Sequence, residues 1–263
     1  MIEKLNEKLL ILKNEFFVIE QLMQRDKKRN TSSTFAGELW EIINPLINMI
    51  MMVLVFKNMF GNATDKQLPL YVLTGTTIYG FFTAGTTSSL NALSGNKSFL
   101  IKTQIKKTIY VLEKILFALK NFMYSIIIYA FVVAIYRMEP SIVWLCIIPD
   151  ILLLVVMMYG MGKLLATINV SFADITYLYK IFTLMVMYGS ALFYRTERLS
   201  PYVQAVMKVN PVYSSIAIAR ISIMDGAYPP IRMWVTLAIY AICCYMLGTY
   251  VFNREANNIV AKL

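Results

Sequence analysis

SIIIYAFVVAIY, residues 125–136, is a run of twelve residues without a charge. Similar runs recur along the chain, for example MIMMVLVF at 49–56. Of all 263 residues, 58% are hydrophobic and 15% are charged, whereas soluble globular proteins have about 45–50% and about 25%. A large soluble core would need amphipathic helices instead of such uninterrupted runs. The sequence therefore indicates an all-α membrane protein.

Six segments are long and apolar enough to cross a bilayer as helices. We predict spans near residues 37–57, 69–93, 115–136, 141–167, 177–194 and 231–252. They form one membrane domain, residues 35–263, which follows a cytoplasmic helix and basic linker, residues 1–34.

The chain offers few groups for metal, redox or acid–base chemistry. It contains no histidine, and its cysteines (Cys146, Cys243 and Cys244) all lie inside predicted spans. We expect these cysteines to be buried apolar groups and not disulfides. No metal site is expected, because no cluster of cysteines or carboxylates replaces the missing histidines.

A nucleotide-binding loop is also missing from the sequence. The nearest approach to G-x-x-x-x-G-K-[ST] is GNKS at 95–98, which lacks the spacing that cradles a phosphate. No G-x-S-x-G elbow or histidine-based dyad is present either. We therefore do not expect the chain to be an enzyme on its own.

Lysine and arginine are unevenly distributed between the predicted loops. Before the first span lie Lys4, Lys8, Lys13, Arg25, Lys27, Lys28 and Arg29, and between spans two and three lie Lys97, Lys102, Lys106 and Lys107. The loop after span one has Lys57 and Lys66. The positive-inside rule therefore places both basic regions, and with six spans both termini, in the cytoplasm. The net charge of +10 then belongs mainly to the membrane surface and needs no nucleic acid.

An amphipathic helix is predicted at the N-terminus. One apolar stripe, with spacings of four and three, is formed by Leu5, Leu9, Leu12, Phe16, Ile19 and Met23. Charges lie mostly off this stripe, so we expect the helix to lie flat at the membrane interface. A short coiled-coil or partner-binding helix is the alternative. RDKKR at 25–29 follows as a basic linker, and TSST at 31–34 is predicted to be a turn or helix cap. Because acidic and basic residues are mixed here, no cleaved signal peptide is expected.

Span one begins with GELWEIINPLINMI at 37–50. Glu38, Glu41, Asn44 and Asn48 are spaced by three, three and four residues, so they share one helix face. Polar groups that face lipid are costly, so we expect this face to contact protein or a water-filled path. The two glutamates could instead be solvated near the membrane boundary.

Span two and the loop after it have distinct compositions. The span is rich in Gly, Thr, Ser and Ala, which favours close packing at the centre of a helix bundle. The loop SGNKSFLIKTQIKK at 94–107 carries Phe99, Leu100, Ile101 and Ile105 among its lysines. It is either a short helix pressed against a cytoplasmic partner or a plain basic loop.

KVNPVYSSIAIARISIMDGAYPP at 208–230 is too apolar for an ordinary loop. Arg220 in a lipid-facing span would cost about 2.5–3.5 kcal/mol or more. The Asn-Pro pair at 210–211 and the turn after Asp225 also leave a helix too short to cross. We predict two short re-entrant helices, near 199–209 and 212–225, in an extracellular region at 195–230.

The order of these features resembles the membrane subunit of type-2 ABC exporters, in the branch that moves polysaccharides, O-antigens or teichoic acids. The resemblance covers nearly the whole chain. The residues that carry it are Leu39, Trp40, Asn44 and Pro45 in span one, Asn96 and the LIK at 100–102 in the loop, and Asn210–Pro211.

This resemblance implies a bacterial plasma-membrane protein that exports a lipid-linked glycan. It also implies a homodimer with two copies of a separate ATPase subunit, which would hold ATP and Mg²⁺; no cofactor is expected in this chain. The 94–108 loop would be the coupling helix seated on the ATPase, with the N-terminal helix beside it. Its candidate contact residues are Asn96, Lys97, Phe99, Leu100, Ile101, Lys102 and Ile105.

Spans one and five of the two copies would line the export path, according to the same resemblance. The candidates are Trp40, Glu41, Asn44, Asn48, Tyr177, Tyr179, Phe182, Tyr188, Phe193 and Tyr194. Aromatic faces stack on sugars, although some of these rings could instead form an interfacial belt. Candidates for an external gate that meets an anionic glycan are Arg195, Arg198, Asn210, Pro211 and Arg220. Export of small lipids or drugs, or an ATPase-independent membrane scaffold, are the alternative functions.

Overall fold

The computed structural model describes residues 2–31, 67–103, 105–196 and 199–256, together with eight helical positions between Trp40 and Val55. In the first helix, side chains are described for residues 13–29. These parts of the chain are largely helical and contain no β-strand. The prediction of an all-α protein is therefore confirmed.

Nine α-helices lie in the continuous described ranges. They are α1 (Ile2–Thr31), α2 (Leu68–Leu90), α3 (Lys97–Lys102), α4 (Lys107–Ile135), α5 (Ile147–Ser171), α6 (Ile175–Tyr188), α7 (Pro201–Val209), α8 (Pro211–Arg220) and α9 (Ile231–Glu255). Turns of 3-10 helix precede α3 at Ser94–Asn96 and α5 at Ile142–Cys146. The helix α8 continues into a π-helical turn, Ile221–Asp225.

Three helices of the described ranges are long and apolar enough to cross a membrane: α4, α5 with its 3-10 turn, and α9. The helix α2 has 23 residues, but its glycines and hydroxyl residues make it less apolar. The helix α6 is apolar but has only 14 residues. The long apolar helices support an integral membrane protein, whereas the count of six spans and the re-entrant geometry stay predictions.

Several helix boundaries differ from the predicted spans, among them those of α4 and α6. The helix α4 begins at Lys107, eight residues before the predicted start of span three, and its first turns are buried at Ile109 and Tyr110. The helix α6 ends at Tyr188, six residues before the predicted end of span five. The chain turns there because Ala191 takes a positive φ of 49°, which a helix cannot contain.

The long helices alternate in direction, so the bundle has two ends. At the first, here called the α1 end, α1 and α3 cover the last turns of α2, α5 and α9. One buried cluster there contains Ile19, Leu22, Ala92, Leu93, Leu100, Ile109, Tyr110, Val111, Ala166 and Phe252. At the other, the α8 end, α7 and α8 pack against the turn after α6 and the start of α9.

Tight packing joins α5 to α9. A Cβ atom on Gly248 would lie 2.0 Å from the carbonyl oxygen of Gly160, and one on Gly160 would lie 2.4 Å from that of Cys244. Small residues let membrane helices approach until their backbones touch. Larger side chains at either glycine would therefore force the two helices apart.

The outer surface of the bundle is apolar. On α4, residues at four-residue spacing (Met123, Ile127, Phe131 and Ile135) are 44–68% exposed. Such a stripe is unfavourable in water and favourable against hydrocarbon. The cysteines follow the same pattern: all three are free thiols, but Cys243 is exposed and the others are half-buried. The predicted burial of all three cysteines is therefore not found.

The stretch 208–230 forms the end of α7, all of α8 and the π-helical turn. Residues Val212 to Arg220 are buried, so α8 is an internal helix. Its ten residues extend about 15 Å, which is half of a hydrocarbon core. The two short helices predicted from the Asn-Pro pair are therefore present, close to the predicted positions.

Candidate functional site

The helix α3 carries the residues predicted to meet a cytoplasmic partner. Leu100 is buried in the cluster of the α1 end. In contrast, Phe99 and Ile101 are 44% and 57% exposed, and Lys97 and Lys102 are exposed beside them. A six-residue helix with one anchored leucine thus presents an outward face that is both apolar and basic. Of the two predicted alternatives, the short helix is the one found.

Two other predicted contact residues anchor this helix from within. Asn96 is buried, and its amide donates to the carbonyl oxygen of Ala92 over 2.8 Å. Ile105 is half-buried and packs against the cluster of the α1 end. Asn96 and Leu100 therefore face away from any partner, because they hold α3 to the bundle.

The helix α1 packs on this end of the bundle through part of its predicted stripe. Ile19 is buried and Met23 packs partly against the same cluster. Phe16 is 66% exposed, so the contact face turns instead toward Leu22, which is buried. Leu5, Leu9 and Leu12 are helical, but their side chains lie outside the described part of the chain.

The basic run after Met23 belongs to α1 and is not a linker. Arg25 donates from Nε and Nη2 to Oδ1 of Asp26, at 3.0 and 2.7 Å, and the other Asp26 oxygen pairs with Lys114 of α4. Burial alone would raise the pKa of Asp26, but the bonds from Lys114 and Arg25 outweigh it and lower that pKa. These contacts explain why the helix continues to Thr31. Residues 32–34, predicted as a cap, lie outside the described range.

The described positions of span one form a single stripe. Trp40, Leu46, Ile47, Ile50, Met51, Leu54 and Val55 are helical and 38–56% exposed. The predicted polar residues Glu41, Asn44 and Asn48 lie outside the described residues, so the polar face of this span stays a prediction.

The helix α6 presents some of its aromatic residues outward and buries another. Tyr177, Phe182 and Tyr188 are 68%, 43% and 58% exposed. Tyr179 is 4% exposed and packs beside Leu90 of α2. Two residues correspond to about 200° around a helix, so Tyr179 points inward when Tyr177 points outward. The structure thus places Tyr179 in the core, contrary to the prediction that it lines a path.

Phe193 and Tyr194, also predicted to line the path, lie beyond the end of α6. Both are half-buried in the turn that leads to α7. The Tyr194 hydroxyl donates to the carbonyl of Tyr188, and its carbonyl accepts a 3.2 Å bond from the hydroxyl of Tyr71. Tyr194 therefore helps to hold the turn against α2.

Arg220 is a buried junction between three segments. Its Nε and Nη2 donate to the carbonyl oxygen of Tyr71 at 3.1 and 2.9 Å. Its Nη1 donates to Ala191 at 3.0 Å, and Nη2 also reaches Leu192 at 3.2 Å. With 6% exposure and its guanidinium occupied by carbonyls, Arg220 does not face an exit path. The prediction of an external gate charge is wrong for this residue.

Asn210 and Pro211 connect α8 to the same turn. The Asn210 side chain caps α8 by accepting from the backbone N–H of Val212 at 3.0 Å. Its amide also donates to the carbonyl of Gly189 at 3.0 Å and to the hydroxyl of Ser190 at 2.9 Å. Pro211 is the first residue of α8, where a helix does not need the missing N–H. This pair therefore positions α8.

The other predicted gate cations are Arg195 and Arg198. The Arg195 guanidinium is 5.3 Å from the ring centroid of Tyr71 and is half-exposed, so it remains a candidate for contact with a substrate. Arg198 lies outside the described residues.

Three buried ionisable groups were not predicted. Lys163 of α5 is 4% exposed, with Nζ 4.1 and 4.9 Å from the ring centroids of Tyr159 and Tyr245 and 3.1 Å from the hydroxyl of Thr249. A lone charge inside the apolar run GMGKLLA at 160–166 is the signal that could have found it.

The other two are carboxyl groups. Asp150 is fully buried and accepts a 2.9 Å bond from the hydroxyl of Ser215, which ties α5 to α8. Glu113 is fully buried with Oε2 3.2 Å from Nζ of Lys114. Among the described residues, no group of three or more cysteine, histidine or carboxylate side chains is placed to hold a metal ion.

The described bundle is apolar and helical, with α3 turned outward at one end and the buried helix α8 at the other, as expected for a membrane protein. The profile of the ABC-2 type transporter family matches residues 18–224, from α1 to the π-helical turn. The chain belongs to this family, as its resemblance implied. The family's members are permease subunits whose ATPase is a separate subunit.

Three similar proteins carry one name, O-antigen export system permease protein RfbA. One from Klebsiella pneumoniae is 24% identical over 242 residues, which is 91% of this chain and 92% of that protein. A second from the same organism is 23% identical over the same shares. One from Myxococcus xanthus is 19% identical over 92% of this chain and 94% of its own length.

Proposed function

We propose that the chain is the transmembrane subunit of an ATP-driven exporter that moves lipid-linked polysaccharide of the O-antigen type across the bacterial plasma membrane. The observation that carries this proposal is the similarity to O-antigen export permeases over 91–92% of the chain. That similarity includes both ends of the bundle, so it extends beyond a shared membrane helix.

Energy would enter through α3. Its exposed face, formed by Phe99, Ile101 and the flanking Lys97 and Lys102, suits an apolar groove with an acidic rim on the ATPase subunit. That subunit would hold ATP and Mg²⁺. Because Leu100 anchors the opposite side of α3 in the bundle, a push on the helix would be passed to α1 and α4.

The working unit would be a homodimer with two ATPase copies. The outward face of α6 repeats at helical spacing and is 50–68% exposed at Tyr177, Ile181, Leu184, Met185 and Tyr188. This face and the exposed stripe of span one would meet their counterparts in the second copy. Such a dimer would bury apolar surface that a single chain leaves exposed.

The glycan would pass between the two copies, along Tyr177, Phe182 and Tyr188. Aromatic rings stack on sugar faces without holding any one residue tightly, which suits a chain that slides. Six spans with both termini in the cytoplasm would place α7 and α8 at the outer face as a re-entrant pair. Arg195 would then lie beside the exit.

Reconstitution of the permease with its ATPase tests the substrate. We expect ATP hydrolysis to be stimulated by a lipid-linked O-antigen, and less by a lipid-linked teichoic acid or by the carrier lipid without its glycan. Equal stimulation by the carrier lipid alone would contradict glycan export and indicate a small-lipid exporter. Absence of a co-purifying ATPase would indicate a scaffold.

Variants of α3 test the coupling role. Phe99→Asp places a charge on the exposed face, so we expect normal membrane levels but loss of export and of substrate-stimulated hydrolysis. Phe172→Asp is a matched control, because Phe172 is 47% exposed at the same end of the bundle. Export by the Phe99 variant at the level of the control would refute the role of α3.

A further inference from the structure

The last turns of α1 carry two adjacent opposite charges that reach two different helices. Arg25 holds Oδ1 of Asp26 through Nε and Nη2, while Oδ2 of Asp26 pairs with Lys114 of α4. The Asp26 and Lys114 side chains are 14% and 13% exposed. This ion pair is therefore largely shielded from solvent, unlike a surface pair that contributes little.

The same arginine contacts α3. Its guanidinium carbon lies 5.3 Å from the ring centroid of Phe99, within the range of a cation–π contact. Phe99 remains 44% exposed, so the contact with Arg25 leaves part of its ring open. Arg25 and Asp26 together thus join α1 to both α3 and α4.

A second acidic side chain lies beside Lys114. Lys114 lies between two carboxylates, Asp26 of α1 and the fully buried Glu113 beside it, whose Oε2 is 3.2 Å away. Arg25 supplies the second cation. Removal of Lys114 would take one cation from Asp26 at low solvent exposure, which is costly for a shielded carboxylate.

A second ion pair fixes the other end of the same helix face. Glu15 lies 2.6 Å from Nζ of Lys106, just before α4. Glu15, Ile19, Leu22 and Asp26 are spaced by four, three and four residues, so they form one stripe about 16 Å long. The two central residues are buried in the cluster that contains Leu100. The helix α1 is therefore held along α3 and α4 by apolar contacts between two charged ends.

We propose that Arg25 and Asp26 are positioning residues for energy coupling: they fix α3 relative to α1 and α4, so that a push on α3 moves the three helices as one unit. The six residues of α3 bury one side chain, Leu100, so contacts from α1 add to the few that hold this short helix in its orientation. The contact of Arg25 with Phe99 and the bond of Asp26 to Lys114 oppose a change of that orientation. The proposal rests on the export function proposed above.

Charge reversal tests this arrangement in the reconstituted permease–ATPase complex. Asp26→Lys and Lys114→Asp each place like charges together, and we expect export per ATP hydrolysed to fall about tenfold while the complex still assembles. The double variant restores one pair of opposite charges between α1 and α4, but Arg25 and Glu113 then lie beside like charges, so the export per ATP should recover in part and exceed that of either single variant. Glu20→Lys, at an exposed position of the same helix, is the matched control and should leave the ratio unchanged.

Arg25→Lys separates stacking from charge. It keeps the cation but loses the planar group over Phe99, so the ratio should fall while the assembly of the complex stays normal. The proposal would be overturned if Asp26→Lys and Lys114→Asp exported as much per ATP hydrolysed as the wild type. It would also be overturned if the double variant exported no more per ATP than the single variants.

Hydrogen exchange of residues 94–103 gives a readout that needs no substrate. The single reversals should speed exchange in α3, and the double variant should slow it again. If the wild-type complex shows no glycan stimulation, the export function fails, and exchange still decides the role of the two residues. Unchanged hydrogen exchange of α3 in the single variants would contradict the positioning role of Arg25 and Asp26.

Discussion

The guanidinium carbon of Arg220 lies over the ring of Tyr71, 3.3 Å from the centroid, and the group donates two hydrogen bonds to the carbonyl oxygen of the same residue. Gly75, one turn further along α2, makes room for it, since a Cβ there would lie 2.5 Å from Nη2. The remaining donors hold Ala191 and Leu192. One buried cation thus joins α2, α8 and the strained turn after α6, with carbonyl dipoles in place of a carboxylate.

Replacement of Arg220 is expected to destabilise the α8 end. Arg220→Met removes the donor to the carbonyls of Ala191 and Leu192, and a buried carbonyl left unsatisfied costs about 1–3 kcal/mol. Arg220→Lys keeps the charge but cannot reach all three carbonyls with one ammonium group. Thermal unfolding in detergent should therefore show a lower Tm for both variants, with the larger loss for methionine. Arg232→Met, at an exposed position of α9, should leave the Tm unchanged; an equal loss there would contradict the junction role.

Asn210 combines two functions that substitutions can separate. Aspartate is as good an N-cap as asparagine, so Asn210→Asp would be neutral if Asn210 only capped α8. However, its amide also donates to Gly189 and Ser190, and a carboxylate would repel the Gly189 carbonyl. We therefore expect Asn210→Asp to lower the Tm about as much as Asn210→Ala. A neutral Asp variant beside a destabilised Ala variant would show that the contact with the turn is unimportant.

The sequence was sufficient to predict the elements that depend on local pattern. Uninterrupted apolar runs predicted long helices, and the Asn-Pro pair predicted the start of α8. The mixture of apolar residues and lysines indicated a short helix at α3 as one of two alternatives. Each of these depends on residues that are neighbours in the chain, so periodicity and turn chemistry decide them.

The roles of single polar residues depended on distant segments and could not be predicted. The carbonyl partners of Arg220 lie 149 and 28–29 residues away in the chain, and Asp26 lies 88 residues from Lys114. An arginine in a short helix can face a water-filled path or a buried carbonyl group. The residues next to it in the sequence do not distinguish these two environments. The prediction for Tyr179 was wrong for a similar reason. Helix periodicity shows which side chains share a face, but the neighbouring helices decide which face is buried.

The contact of Gly248 with Gly160 predicts an unusual response to alanine. A glycine-to-alanine change inside a helix usually stabilises it by up to about 1 kcal/mol. Gly80 of α2 has no atom within 4 Å of a built Cβ, so Gly80→Ala should raise or maintain the Tm. Gly248→Ala should lower it, because the new methyl group would lie 2.0 Å from the Gly160 carbonyl oxygen. Equal behaviour of the two variants in detergent unfolding would contradict direct backbone contact between α5 and α9.

The charge of Asp26 predicts how pH affects the attachment of α1. Bonds from Lys114 and Arg25 lower the pKa of Asp26 below its ordinary value of 3.8, despite partial burial that would raise it. A carboxylate with a lowered pKa stabilises the folded state fully above its unfolded pKa, and this contribution is lost as pH falls through the folded value. The ion pair should therefore be complete at neutral pH and absent in strong acid.

Hydrogen exchange of residues 13–29 measures this contribution when wild type and Asp26→Asn are compared at each pH, since the comparison cancels the intrinsic pH dependence of exchange. At pH 7 the wild type should be protected about fivefold more, which corresponds to about 1 kcal/mol for a partly screened pair. The two proteins should converge in strong acid, as the pH falls through the lowered pKa of Asp26 and the wild-type carboxylate becomes protonated. Glu20→Gln should match the wild type throughout, because Glu20 is exposed and its bond, 3.4 Å from Gln24, stays within α1. A protection ratio that stays constant from pH 7 to strong acid would show that the shape of the Asp26 side chain, and not its charge, attaches α1 to α4.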